Sequence, residues 1–388
     1  MMPIRMVITG DNHLNYYSQK LGSKLDERRT QIGEAWQETI DFAIEKKADI
    51  YLNVGDLFDQ TSPRNPPRAR VVKAFNNLKE AGVKAFVISG THESPATAID
   101  GASPHSLLQE AGLATVFEDT QKFGQEIIKV GRTTVSIAGI STDRRLHPNM
   151  DPLENVTIPA GADYNVAMLH YSVKKIAPPQ WEEPMITLDS LERNSQINLF
   201  AIGHIHQHLT KQLGSSTILY PGPTEHFDFG EAKNDTGFCY VIVEGKKIEI
   251  SHIKTKSQPM TRLNVHTSKL SENHSTNTIL GAVLRESNPK GLLQLILEGE
   301  MPFKDYLKID FPKIFDEGKR RNFYYECIDN IRPVSEGIEY RPSEVLHPRN
   351  ELVSIGNREI EKADSEDKKL WERALELAVF YYDQSTVA

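Results

Sequence analysis

Five short apolar runs in this chain each end on an acid or a histidine, and no other feature constrains the fold as strongly. Tyr51-Leu-Asn-Val-Gly55-Asp56-Leu-Phe-Asp59 is the central one. It reads as a buried strand that stops at a glycine and then presents a carboxylate. The others are Gly10-Asp11-Asn12-His13, Gly90-Thr91-His92-Glu93, Leu169-His170, which lacks the glycine, and Gly203-His204-Ile205-His206. A fold that satisfies this pattern must bring several strand ends together around Asp56.

The order of elements supplies such a fold. Ile4–Thr9 reads as a first strand. Ile32, Trp36, Ile40 and Ile44 recur every four residues within a helix over 28–46. Ile50–Val54 is a second strand. Residues 61–70 read as a proline-punctuated loop leading into a helix with Val71, Val72, Phe75 and Leu78. Val83–Ile88 is a third strand. Strand–helix alternation of this kind places functional loops at the carboxyl ends of parallel strands. From residue 127 the texture turns β-rich, with candidates at 127–130, 133–138, 165–169, 199–202, 218–220, 238–243 and 248–253. The expected architecture is therefore two packed sheets with helices outside, an α/β four-layer α-β-β-α sandwich.

The pattern is expected to change at a polar linker, Lys254–Pro259. Residues 257–332 read as a small α+β unit, with strands at 263–265, 291–298 and 323–328 and a helix at 276–286. Pro333, Pro342 and Pro348 mark an extended linker over 333–350. The last helix is expected from about Ser365, as N-cap, to Tyr382. Glu366 and Asp367 favour its dipole, and Leu370, Trp371, Ala374, Leu377, Ala378 and Tyr381 give it an apolar face. The domain expectation is thus 1–256, 257–332 and 333–388.

Carboxylate oxygen and imidazole nitrogen are ligands for divalent transition metals, and one carboxylate can bridge two ions. The candidates are Asp11, His13, Asp56, His170, His204 and His206. Any one alone reads equally well as a hydrogen-bonded strand-end residue. The ordered series points to a two-metal hydrolytic site, with Asp56 between the ions.

Composition narrows the setting. The two cysteines, Cys239 and Cys327, form no disulfide framework and no paired metal spacing, which suggests a reducing compartment. The N-terminus lacks a signal-peptide layout, and no stretch approaches a membrane span. A cytoplasmic protein is expected, nucleoid-associated if prokaryotic. The net charge of −8 does not suggest a polyanion binder, but a local basic face would suffice for one.

The series D-x-H, G-D-x-x-D, G-x-H-E, H, G-H-x-H resembles the calcineurin-like metallophosphoesterases. Gly55–Asp59, the following Ser62-Pro63, and the loop from Tyr220 through Glu225 and His226 to Gly230 resemble that family's DNA-repair nuclease branch, the SbcD-type and meiotic-recombination-eleven-type nucleases. The motifs span 4–253. The likeness over 260–332 to that branch's capping domain is looser, and the C-terminal helices resemble it only in position and amphipathic character.

The resemblance implies two Mn²⁺ ions. Asp11, His13, Asp56 and His206 would hold one; Asp56, His170 and His204 would hold the other. His92 would be the catalytic histidine. Where the family has a ligand asparagine this chain has Thr91, a shorter hydroxyl, so the second site is expected to be weaker or completed by water. The implied activity is a DNA exonuclease and single-strand endonuclease in double-strand-break repair. The implied partners are DNA, the coiled coil of an SMC-like ATPase bound by the C-terminal region, and a second copy. Dimer candidates are 66–81 and 104–111.

Arg64, Arg68 and Arg70 start near the metal motif and are candidate DNA contacts. Arg144-Arg145 and Lys319-Arg320-Arg321 are further basic clusters. Asp59 is expected to cap its loop, His208 to be solvated, and Trp36 and Trp371 to pack; Glu225 and His226, in the family-like loop, are candidates for support behind the metal ligands. Two other functions fit the same motifs: a phosphomonoesterase or cyclic-nucleotide phosphodiesterase, and a catalytically weak DNA-end-binding subunit.

Overall fold

The computed structural model describes residues 3–95, 101–176, 182–245, 247–270, 274–334, 348–363 and 367–385. The chain opens as β1 (Ile4–Thr9), α1 (Leu25–Glu45), β2 (Ile50–Asn53), α2 (Asn65–Glu80), β3 (Lys84–Ile88), α3 (Ser106–Glu110) and β4 (Thr115–Phe117). There follow β5 (Gly124–Val130), β6 (Thr133–Gly139), β7 (Tyr164–His170), β8 (Ser172–Val173), β9 (Met185–Ile186), α4 (Leu188–Arg193), β10 (Leu199–Gly203), β11 (Leu209–Leu213), β12 (Ser216–Tyr220), β13 (Gly237–Glu244) and β14 (Lys247–Lys254). One sheet has the order β14-β13-β1-β2-β3-β4, the other β11-β12-β10-β7-β6-β5.

Strands inside the sheets are apolar on both sides because both sides are covered. In β1, Ile4, Met6 and Ile8 face the second sheet. There they meet Val135, Ile137, Val166 and Met168. Val7 faces the opposite way, onto the helix layer of Ile32, Trp36, Ile40, Phe75 and Leu78. The second sheet's outer side is closed by Leu153, Ile158 and Leu191 over Ala167, Leu169, Phe200 and Ile202. These are the expected α-β-β-α layers.

Register aligns the strand ends. Thr9 pairs with Asn53 in parallel β1 and β2, so the Asp11 amide donates to the Gly55 carbonyl at 3.0 Å. His170 pairs with Gly203 in parallel β7 and β10, which sets His170 level with His204. The turns nest so closely that Gly55 tolerates no side chain. Its φ is +98°, and a Cβ there would lie 2.5 Å from His170 Nδ1 and 2.8 Å from Gly90 Cα.

Several segments differ from expectation. α2 begins at Asn65, so Arg68 and Arg70 are helical rather than in a loop. Pro66 and Pro67 occupy the first helical turn, where an amide would be unpaired anyway. Lys254–Pro259 is not loose. Its Gln258 amide donates to Glu225 Oε2 at 2.8 Å, and Thr255 Oγ1 donates to the Thr224 carbonyl.

The chain continues as β15 (Met260–His266), α5 (Ser275–Glu286), β16 (Leu292–Pro302), α6 (Phe303–Tyr306), α7 (Phe311–Arg321) and β17 (Tyr324–Val334). The three strands form one sheet with β16 central. α7 was not anticipated. Asp310 caps it, and its last turn holds the basic run, where Arg320 and Arg321 both pair with Glu317.

The chain divides into two compact units, residues 1–301 with 305–332, and 302–304 with 333–388. In the second, α8 (Pro348–Lys362) and α9 (Asp367–Ser385) pack closely enough that a Cβ at Gly356 would overlap Leu375. Helix therefore begins inside the stretch expected to be linker. Residues 333–334 of that linker end β17, and residues 335–347, with the Ser365 cap and Glu366, lie outside the described residues. Trp371 is 42% exposed rather than packed, whereas Trp36 is fully buried.

Candidate metal centre

The strand-end turns converge, and their backbone is strained where they do. Asp11, His13, Asp56 and His204 all have positive φ, at 51°, 46°, 50° and 95°. Non-glycine residues in this region cost free energy and persist only where surrounding structure over-determines them. Here paired strand ends do so: the amides of Asn12 and His13 both donate to the Asp56 carbonyl.

Among the described residues, three groups of donor atoms lie within 4.8 Å of one another: Asp11 with His13 and His206, His13 with Asp56 and His92, and Asp11 with Asp56 and His170. His204 and Thr91 stand beside these groups. Thr91 Oγ1 is 3.5 Å from His204 Nδ1, and the His204 and His170 rings meet at 5.2 Å. Asp11 accepts from the His204 amide at 2.9 Å. Asp56 accepts from the His92 amide at 2.8 Å.

Each of the four candidate ligand imidazoles has one nitrogen held from outside and the other turned inward. His13 Nδ1 meets Asp59 at 3.1 Å. His170 Nδ1 donates to the Val54 carbonyl at 2.8 Å. His204 Nε2 meets Glu183 at 2.8 Å, and His206 Nδ1 meets Glu231 at 2.7 Å. A carboxylate or carbonyl behind an imidazole fixes its tautomer and aims the free lone pair at a metal. The inward nitrogens of His13 and His206 face each other at 3.1 Å. A shared proton or a cation between these two nitrogens satisfies both. His170 Nε2 is buried without a hydrogen bond of good geometry, 3.2 Å from Asp56 Oδ2. The donor set therefore fits hard or borderline divalent ions.

Electrostatics favour positive charge here. Burial would lower the His206 imidazole, but Glu231 and then Asp11 and Asp56 outweigh it and push it up to about 9. Burial acts likewise on His170, and Asp56 and Asp11 push it up to about 9. Burial would raise the Asp56 carboxyl, but His170, His13 and His92 hold it well below the usual range.

His92 differs from the other histidines. Its side chain is 47% exposed, with Nδ1 3.2 Å from the Asp59 carbonyl. Asp59, expected to cap a loop, serves both rings: its carboxylate lies 3.1 Å from His13 and 3.5 Å from His92.

Other expectations are corrected. Glu225 does not support the ligands. It is fully buried and pairs with Arg28 at 3.0 Å, while Glu231, one residue beyond the loop singled out, takes that position. His226 bonds the Asn234 carbonyl at 3.0 Å instead. His208 is not solvated; it stacks on His252 at 4.2 Å. Among the basic residues, Arg64 pairs with Asp26 at 3.3 Å and Arg145 with Asp143 at 2.8 Å. Arg70 crosses Gly33, where a Cβ would overlap its guanidinium, and Arg68 Nε is buried without a partner. Arg64 and Arg70 line one wall of a cavity that Leu14 and Asn15, next to His13, also line.

A family model described as calcineurin-like phosphoesterase matches residues 4–208. The chain is also similar to proteins named DNA double-strand break repair protein Mre11. For Methanocaldococcus jannaschii the identity is 26%, covering 63% of this chain and 64% of that one. For Sulfolobus acidocaldarius it is 21%, covering 94% and 93%. For Thermoplasma acidophilum it is 26%, covering 82% and 86%.

The two glutamates give opposite expectations. Glu231→Gln removes the charge behind His206 and should weaken divalent-metal binding about 10- to 100-fold in calorimetric titration, with the fold intact. Glu225→Gln strands the buried Arg28 guanidinium and should cost about 3–5 kcal/mol in urea unfolding. Equal metal affinity in Glu231→Gln and wild type would contradict this reading of the site.

Proposed function

Because this chain belongs to the calcineurin-like phosphoesterase family, we propose that it is a Mn²⁺-dependent DNA nuclease, both exonuclease and single-strand endonuclease, acting in double-strand-break repair. The observation that carries the reading is the gathering of His13, His170 and His206, each anchored from outside, around Asp11 and Asp56, with His204, anchored by Glu183, beside them. Similarity to repair proteins named Mre11 over most of the chain supports DNA as the substrate.

Asp11, His13, Asp56 and His206 would hold one ion; Asp56, His170 and His204, with Thr91 in the asparagine position, would hold the second. Two such ions supply Lewis-acid charge stabilisation and a low-pKa water for phosphate ester hydrolysis. The protein's own part is positioning and proton transfer. Asp56 fixes the His92 backbone, and Asp59 orients the His92 ring. The exposed imidazole can then donate a proton to a departing phosphate-ester oxygen. Arg64, Arg68 and Arg70, beside the metal turn, would contact neighbouring phosphates. Residues 257–332 would form a cap over the DNA path. The exposed apolar side chains of α9, Leu370, Trp371 and Leu377, suit helix-in-groove docking to the coiled coil of an SMC-like ATPase. A second copy of the chain would complete the assembly.

The deciding assay offers linear duplex DNA, single-stranded circles and a chromogenic phosphate ester with Mn²⁺. A nuclease cuts both DNA substrates, whereas a phosphatase acts on the ester alone. His92→Ala should lower DNA cleavage about 10²- to 10⁴-fold while Mn²⁺ binding is kept; undiminished cleavage would remove His92 from the chemistry. Thr91→Asn should raise affinity for the weaker of two Mn²⁺ equivalents, and an unchanged titration would show that position 91 is no ligand. Deleting residues 351–388 should abolish pull-down of the ATPase partner and spare ester hydrolysis; retained pull-down would refute the docking role.

A further inference from the structure

A cleft of about 250 Å³ opens beside the metal centre, between the turns of the catalytic sheet and the β15–β16–β17 sheet. Four aromatic rings line it: Tyr16, Phe227, Phe229 and Tyr324. All four are half-buried, packing on one side against the apolar core and lining the cleft on the other. They meet in two pairs, Tyr16 with Phe227 and Phe229 with Tyr324. Phe227 packs edge-on against the ligand candidate His13, with centroids 4.7 Å apart. Tyr16 lies 5.5 Å from Phe227. Phe229 and Tyr324 hold nearly parallel rings, 6.3 Å apart and inclined by 27°.

The rim is polar. Lys20, its side chain 71% exposed, reaches across to Glu326 at 2.6 Å, and the Gln294 amide donates to the same carboxylate at 2.8 Å. The volume falls below the roughly 300 Å³ at which drug-sized ligand sites begin. One small planar ring system fits such a space.

We propose that this cleft receives a single unstacked nucleobase of a DNA strand whose adjacent phosphate lies at the metal centre. The proposal rests on the nuclease reading above and deepens it. Aromatic faces bind bases without regard to sequence, because every base has a π-face. Lys20, exposed and paired with Glu326, can exchange that carboxylate for a backbone phosphate of the strand. A paired base cannot reach such a cleft without leaving its stack, at a cost of a few kcal/mol. The cleft therefore favours single strands and frayed ends over intact duplex.

The test measures binding of short single-stranded oligonucleotides by fluorescence anisotropy, with Mn²⁺, in a His92→Ala background that leaves the strand uncut. One abasic residue is moved through the sequence position by position. In this background an abasic residue at one position should weaken binding about tenfold. Adding Tyr324→Ala should weaken the intact strand about tenfold and erase the abasic penalty, and Tyr324→Phe should preserve both. Tyr324→Leu, which keeps apolar volume without a π-face, guards against a folding defect and should behave as Tyr324→Ala does. A penalty that persists in both Tyr324→Ala and Tyr324→Leu, or the absence of any position-dependent penalty, overturns the proposal while leaving the nuclease reading intact. Wild-type protein that hydrolyses the chromogenic ester but neither binds nor cuts DNA overturns both.

Discussion

Two buried carboxylates, Asp11 and Asp56, set the terms for this structure. They are 0% and 2% exposed and follow the carboxyl ends of the neighbouring parallel strands β1 and β2. Burying like charges together costs several kcal/mol per ion unless positive charge and hydrogen bonds compensate. The surrounding structure supplies both. Backbone amides of His92 and His204 donate to the two carboxylates, and imidazoles approach from four turns. The same field that pushes His170 and His206 upward makes the centre a place for divalent cations.

That arrangement determines where strain is tolerated. The ligand turns carry positive φ at four non-glycine residues, and Gly55 leaves no room for a Cβ. Two mixed sheets, packed through an apolar core of Met6, Ile8, Val166 and Met168, hold these turns against relaxation. The sheet core is thus the scaffold for the site. The outer anchors, Asp59, Glu183 and Glu231, convert rough convergence into aimed lone pairs.

The connection to the β15–β16–β17 sheet follows the same logic of buried polar pairing. Arg28 in α1 reaches the Glu225 carboxylate and the Gln258 side chain, so the segment expected to be a loose linker is tied to the catalytic core. Lys24 adds a bond to the Phe323 carbonyl. These ties bring Tyr324 beside Phe229 and shape the aromatic cleft next to His13.

The sequence by itself determined the layers and the inner ring of candidate ligands. Doubly covered strands read as continuous apolar runs, and each ligand turn follows directly on such a run, so both signals are local. Those runs could not name the outer anchors. Glu231 lies 25 residues from His206, and Asp59 lies 46 from His13; no local signal marks Glu231. Nor did they reveal α7, whose amphipathic stretch is short and rich in charge, or the helical placement of Arg68 and Arg70 after two prolines. Only the tertiary structure decided which carboxylate stands behind which imidazole, and that four scattered aromatic residues share one cleft. Strand register and layer packing determine which distant side chains meet, and that information is in no single stretch of the chain.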